Sequence, residues 1–285
     1  MRRAVSNWFD PVSYRIEKGV SYLGPDRKEQ MDVYLPQYPG NETFPCIIVV
    51  HGGGWAAGRR SGLKDLQIAV NLVACGYVVM IIDCAVARHS VERWNHDLLI
   101  PGWPNNLYDC KTAVRFAKKQ AEAYHIDPER IGIIGGASGG HLALFAAFTA
   151  NHRGLLGEGL YAEYSSSIQC AVNLYGIPDV LTWGSKSFSG VPLAPASQDP
   201  AWRAAAKLEA TRHKSKDVPP MFIVHGEQDE EIQFRLSDEF VNQLKELNTV
   251  SQYAVEGARQ RLPSRAAPAI DLRPLIIRFL DAYLK

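Results

Sequence analysis

The sequence predicts an α/β protein with a mostly parallel central sheet and helices on both faces. Three observations carry this. Short β-branched runs recur along the chain, they are apolar on consecutive positions, and helix-spaced segments separate them. Consecutive apolar positions mark strands covered on both faces, and strand–helix alternation gives the crossovers that parallel strands need.

Met31–Leu35 (MDVYL) reads as a more polar outer strand, and Cys46–His51 (CIIVVH) and Tyr77–Asp83 (YVVMIID) as buried ones. Leu107–Tyr124 places Ala113, Val114, Ala117 and Ala121 on one helical face. Arg130–Gly135 (RIGIIG) is the next strand and HLALFAAF the helical run behind it. Ile168–Tyr175 (IQCAVNLY) and Met221–His225 (MFIVH) are further strands. Phe234–Leu247 and Asp271–Leu284 are helical, with Gln252–Val255 (QYAV) an outer strand between them.

No repeat, low-complexity tract or linker divides the chain, so residues 1–285 read as one domain. Residues 84–106 and 181–217 exceed the usual connection length and read as candidate lids, the second with a short helix around Pro200–Ala210. Thirty-one Lys and Arg against 30 Asp and Glu give no electrostatic footprint for nucleic acid or an anionic membrane. The 5 cysteines are scattered and contain no CxxC pair, which suggests neither a disulfide framework nor a zinc site. Met1–Pro11 lacks the apolar stretch of a signal peptide, and no apolar run approaches a membrane span. The expectation is a cytoplasmic protein, or a secreted one whose leader has been removed.

Two motifs carry chemistry. Gly136-Ala137-Ser138-Gly139-Gly140 lies between the strand RIGIIG and the run HLALFAAF. Gly-x-Ser-x-Gly suits a nucleophile on a sharp strand-to-helix turn, where small neighbours let the backbone bend and the helix dipole faces developing negative charge. Ser138 is therefore the expected nucleophile. His51-Gly52-Gly53-Gly54-Trp55 ends the strand CIIVVH. Its glycines let amides turn inward, so Gly53 and Gly54, with the N–H of Gly139, are the expected oxyanion donors. His51 is expected to brace this loop.

HGGGW, GGASGGHLAL and VHGEQDEEI together resemble the esterase and lipase branch of the α/β-hydrolases, in particular the bacterial and fungal feruloyl-esterase-like group. The likeness runs from about Met31 to the C-terminus. It implies the α/β-hydrolase fold and hydrolysis of carboxylic esters, of small molecules or linked to carbohydrate. It also implies a catalytic acid in a His-Gly-x-x-Asp turn after a late strand, and here His225-Gly226-Glu227-Gln228-Asp229 puts Asp229 in that role. Glu227, Glu230 and Glu231 compete with it, and Asp179 is an outside candidate. No metal or organic cofactor is expected, since acyl transfer to serine and then to water needs none.

One part departs from the family pattern. The catalytic histidine is expected in a Gly-Ala-x-His setting, but the chain reads Gly257-Ala258-Arg259-Gln260, and no histidine follows His225. Glutamine cannot take up a proton near neutral pH. His89 and His96 lie in a long loop, His141 opens the elbow helix in a structural position, and His125, His152 and His213 lie elsewhere. The patternless run RQRLPSRAAPAI is consistent with a compensated frameshift across Gln260–Ile270. If Gln260 is encoded CAG and followed by a CGN arginine codon, dropping the third base makes position 260 histidine. The expected function is a serine carboxylic-ester hydrolase, impaired as written. The alternatives are a binding protein that uses the same fold without turnover and, third, a serine peptidase of that fold.

Overall fold

The computed structural model describes residues 13–37, 40, 42–89, 99–100, 102–157, 159–178, 218–245, 250–255 and 271–285. In chain order the elements are β1 (Tyr14–Val20), β2 (Met31–Pro36), β3 (Phe44–Val50), α1 (Leu63–Ala74), β4 (Val78–Ile82), β5 (Arg88–His89), β6 (Leu99–Ile100), α2 (Asn105–Lys119), β7 (Ile126–Gly136), α3 (Ser138–Phe148), β8 (Cys170–Leu174), β9 (Met221–Gly226), α4 (Phe234–Leu244), β10 (Val250–Val255) and α5 (Arg273–Leu284). Among the described residues, eight strands form one sheet in the order β1-β2-β4-β3-β7-β8-β9-β10. From β4 through β3 to β10 every pairing is parallel, while β2 is antiparallel to both β1 and β4.

Both faces of the sheet are apolar because successive strand residues point opposite ways. Cys46, Ile48 and Val50 join the core under α2, α3 and α4, whereas Ile47 and Val49 join the core under α1 and α5. All five are fully buried. A buried aliphatic side chain of this size contributes about 1.5–3 kcal/mol relative to exposure.

Two expectations change. Met31–Leu35 is not an outer strand: β2 lies inside β1, and all five residues are buried. The edge belongs to β1, where Arg15, Glu17 and Lys18 dress an exposed strand with charge, a pattern that hides it in the sequence. The helix expected over Leu107–Tyr124 runs instead from Asn105 to Lys119, and α1 is an element the sequence reading lacked. Within 84–106, β5 and β6 pair as a two-stranded antiparallel ribbon. The segment 181–217, with its expected cap helix, lies outside the described residues.

Candidate active site

The centre of the site is the passage from β7 to α3. β7 is held on both sides, with Gly135 opposite Val50 of β3 and Gly136 opposite Leu174 of β8. The helix begins at Ser138, so a single residue, Ala137, turns the chain, with φ 53° and ψ −121°. Such a conformation costs a side-chain-bearing residue about 1–3 kcal/mol and persists where its surroundings impose it. Here the Ala137 N–H donates to the Leu174 carbonyl at 3.0 Å, and its carbonyl accepts from the His141 N–H at 3.1 Å.

Glycines make this turn sterically feasible. A Cβ on Gly135 would lie 2.3 Å from the Gly139 carbonyl oxygen, and one on Gly139 would lie 2.3 Å from that of Val50. A Cβ on Gly136 would have the Tyr175 side chain nearest, its hydroxyl at 3.0 Å, while one on Gly140 would meet Asn173 Oδ1 at 2.3 Å and Gly176 Cα at 2.9 Å. Ser138, the expected nucleophile, is thus the first residue of α3 and is 3% exposed. Ala137, at the tip, is half-buried.

The glycine loop lies against this turn. A Cβ on Gly52 would be 3.0 Å from the Gly136 carbonyl oxygen and 3.6 Å from the Ala137 Cβ. Gly53 and Gly54 have φ values of 124° and 63°, and Ala56 and Ala57 donate to the Gly53 carbonyl, closing the loop. His51 braces it: the ring is buried, with Nδ1 2.8 Å from the Gly52 carbonyl and Nε2 3.6 Å from Cys84 Sγ. Burial lifts the nearby Asp65 carboxyl to about 6 against the pull of His51 and Lys64.

Asp229 follows β9 in a tight turn. Its Oδ1 accepts from the N–H groups of Glu231 at 2.9 Å and Ile232 at 2.8 Å. Its Oδ2 is buried and without a hydrogen-bond partner among the described residues, 3.3 Å from His225 Nε2. That histidine is fully engaged in the core. Nε2 donates to the Ile232 carbonyl at 2.8 Å, which leaves Nδ1 to accept from the Ser237 hydroxyl at 2.7 Å. Burial, with the charges of Asp65 and Asp229, pushes the Tyr175 phenol up to about 12.

These three segments meet at an apolar cluster of Ile177, Ile232 and Leu236, against which Trp55 and Ala137 pack. Trp55, Ala137 and Ile232 fall within the quoted motifs, whereas Ile177 and Leu236 carry no such signal in the sequence. His141 is structural, its Nδ1 2.9 Å from the Ile177 carbonyl and its ring edge-to-face with Trp55. The base of segment 84–106 also reaches the site, where the Ala87 N–H donates to the Trp55 carbonyl at 2.6 Å and the Trp103 ring approaches His141. The side chain of His89 and all of His96, Asp179, His213 and Gln260 lie outside the described residues. Among the described residues no group of His, Cys, Asp or Glu is placed to hold a metal ion, and no helix is long and apolar enough to cross a membrane.

A probable carboxylic ester hydrolase of Mycobacterium tuberculosis, LipM, is 27% identical over 242 residues, covering 82% of this chain and 53% of its own length. Esterase LipC of the same organism is 26% identical, covering 78% and 53%. The chain thus spans about half the length of the curated relatives it matches. Among solved structures, a truncated carbohydrate esterase from gut microbiota superposes with a TM-score of 0.75 at 23% identity, over 96% of this chain and 98% of that one. Butyrate-bound esterase 2 of Thermogutta terrifontis does so with a TM-score of 0.67 at 20% identity, over 96% and 93%. At such identities the likeness establishes the α/β-hydrolase fold. The BD-FAE family model matches residues 31–244, and the chain belongs to that family of α/β-hydrolase-fold esterases.

Proposed function

We propose that this protein recognises carboxylic esters, of small molecules or linked to carbohydrate, at the C-terminal edge of its sheet, within the carboxylic-ester hydrolase class. The observation that best supports this is the turn from β7 to α3 lying against Gly52, at the start of the glycine loop. Amides at a helix start and in a positive-φ glycine loop suit the oxyanion of an ester's tetrahedral intermediate. The Oδ2 of Asp229, without a hydrogen-bond partner among the described residues, supports it from a second side, as an acid shaped to orient an imidazole. The names of LipM and LipC, and the carbohydrate esterase among the structural neighbours, point to the same bond class. Segment 84–106, tied to Trp55, and segment 181–217 are the proposed lids.

Taken by itself, the Gly-x-Ser-x-Gly pattern would make this a serine hydrolase, with Ser138 attacking the acyl carbon, amides of Gly53, Gly54 and Gly139 holding the oxyanion, and Asp229 placed to orient an imidazole that Gln260 does not supply. A second reading, ester binding without turnover, is favoured by the position of Ala137 at the tip of the turn. Calorimetric titration with ethyl ferulate, and p-nitrophenyl acetate hydrolysis by wild type beside Ser138→Ala, test both. Saturable binding is expected; its absence would remove the ester assignment. Turnover lost in Ser138→Ala would select the serine mechanism, and equal rates the second reading.

A further inference from the structure

We infer that the acyl-accepting position of this site is Ala137, so that a methyl group stands where a nucleophile would project and Ser138 is not the nucleophile. The inference rests on the ester reading above and deepens it. An elbow nucleophile works because it occupies the strained turn residue itself, which lifts its side chain off both strand and helix. Here that residue is Ala137, whereas Ser138 already belongs to the helix.

Three independent features agree. The doubled glycines permit two frames of Gly-x-X-x-Gly, centred on Ala137 or on Ser138. Backbone contact selects the first: Gly135 and Gly139, two residues either side of Ala137, are where a Cβ on the earlier glycine would strike the later one's carbonyl. In the second frame the leading glycine, Gly136, has a side chain rather than backbone nearest to it, although Gly140 is itself tightly packed. Accessibility points the same way, since Ala137 is half-buried while Ser138 is 3% exposed. So does placement, since Ala137 packs, as Trp55 of the glycine loop does, against the cluster of Ile177, Ile232 and Leu236. In this frame the amide after the acceptor position is that of Ser138, which takes the oxyanion role first given to Gly139.

The test uses a nucleophile that needs no imidazole. A thiol at a helix N-terminus is shifted toward its thiolate and attacks activated esters unaided. In Ala137→Cys, sulfur bonds to the acyl carbon of p-nitrophenyl acetate, the ester C–O bond breaks, and p-nitrophenolate leaves with the electron pair. The thiol proton goes to solvent. We expect a burst of about one p-nitrophenolate per chain and an acetyl group mapped to the introduced thiol. With the oxyanion amides in reach, its acetylation should be about 100-fold faster than in Ser138→Cys.

Equal or faster acetylation of Ser138→Cys, or none in folded Ala137→Cys, overturns the inference. Should Ala137→Cys not fold, a fluorophosphonate probe on the wild-type chain decides instead. Labelling mapped to Ser138 overturns the inference, and a folded Ser138→Cys that p-nitrophenyl acetate leaves unacetylated supports it, since a thiol needs no imidazole. Calorimetry with ethyl ferulate on the wild type separates the two levels. Ester binding without acetylation of Ala137→Cys sinks this inference and leaves the ester reading standing, whereas loss of both sinks the ester reading too.

Discussion

Gly135 and Gly139 meet backbone to backbone across the turn at Ala137, so closely that a Cβ on the first would stand 2.3 Å from the carbonyl oxygen of the second. Neither backbone can yield easily, because Gly135 lies in β7 between β3 and β8, and Gly139 packs on the end of β3.

Gly135→Ala should therefore cost about 1–3 kcal/mol, the range for overpacking a closed site. Gly136→Ala should cost less, because its Cβ would stand 3.0 Å from the Tyr175 hydroxyl rather than 2.3 Å from a backbone carbonyl. Urea unfolding of the two variants measures the difference. Equal losses would show that the turn tolerates strain at either position.

Lys111 is fully buried on α2, with Nζ donating to the carbonyls of Thr149 and Leu155, both at 2.6 Å. Lys111→Met should cost about 2–4 kcal/mol, because two buried acceptors lose their donor. Burial, with Arg115 nearby, holds the Lys111 pKa down to about 7 against an ordinary 10.5. Between those values the unfolded chain binds a proton that the folded one releases, so the stability of the wild type rises with pH. The gap between wild type and Lys111→Met should widen from pH 7 to pH 9 in urea titrations; a constant gap would contradict the shift.

Asp229 caps its turn through Oδ1, which accepts from the N–H groups of Glu231 and Ile232. Asp229→Ala should lose about 1–3 kcal/mol, while Asp229→Asn, which keeps a carbonyl acceptor, should keep most of the stability. Thermal unfolding compares them, and identical behaviour would argue that the turn stands without this cap.

The parallel core, the strand-to-helix turn and the turn after β9 were legible because each depends on local pattern. Runs such as CIIVVH can be buried only on both faces, and HGEQD places a carboxylate where the next amides can cap it. The exposed, charged β1 was not legible, since its pairing with β2 is long-range and leaves no apolar signature.

GGASGG shows why the site was only half readable. The sequence determined that a glycine-framed turn joins a strand to a helix, but both glycine frames satisfy that pattern equally. Only the tertiary structure decided between them. The strand ends where pairing with Leu174 ends, at Gly136, and the helix starts at Ser138, which leaves Ala137 alone to reverse the chain. Which residue bears the strain follows from where the sheet stops holding the backbone, and that depends on the neighbouring strands rather than on the motif itself.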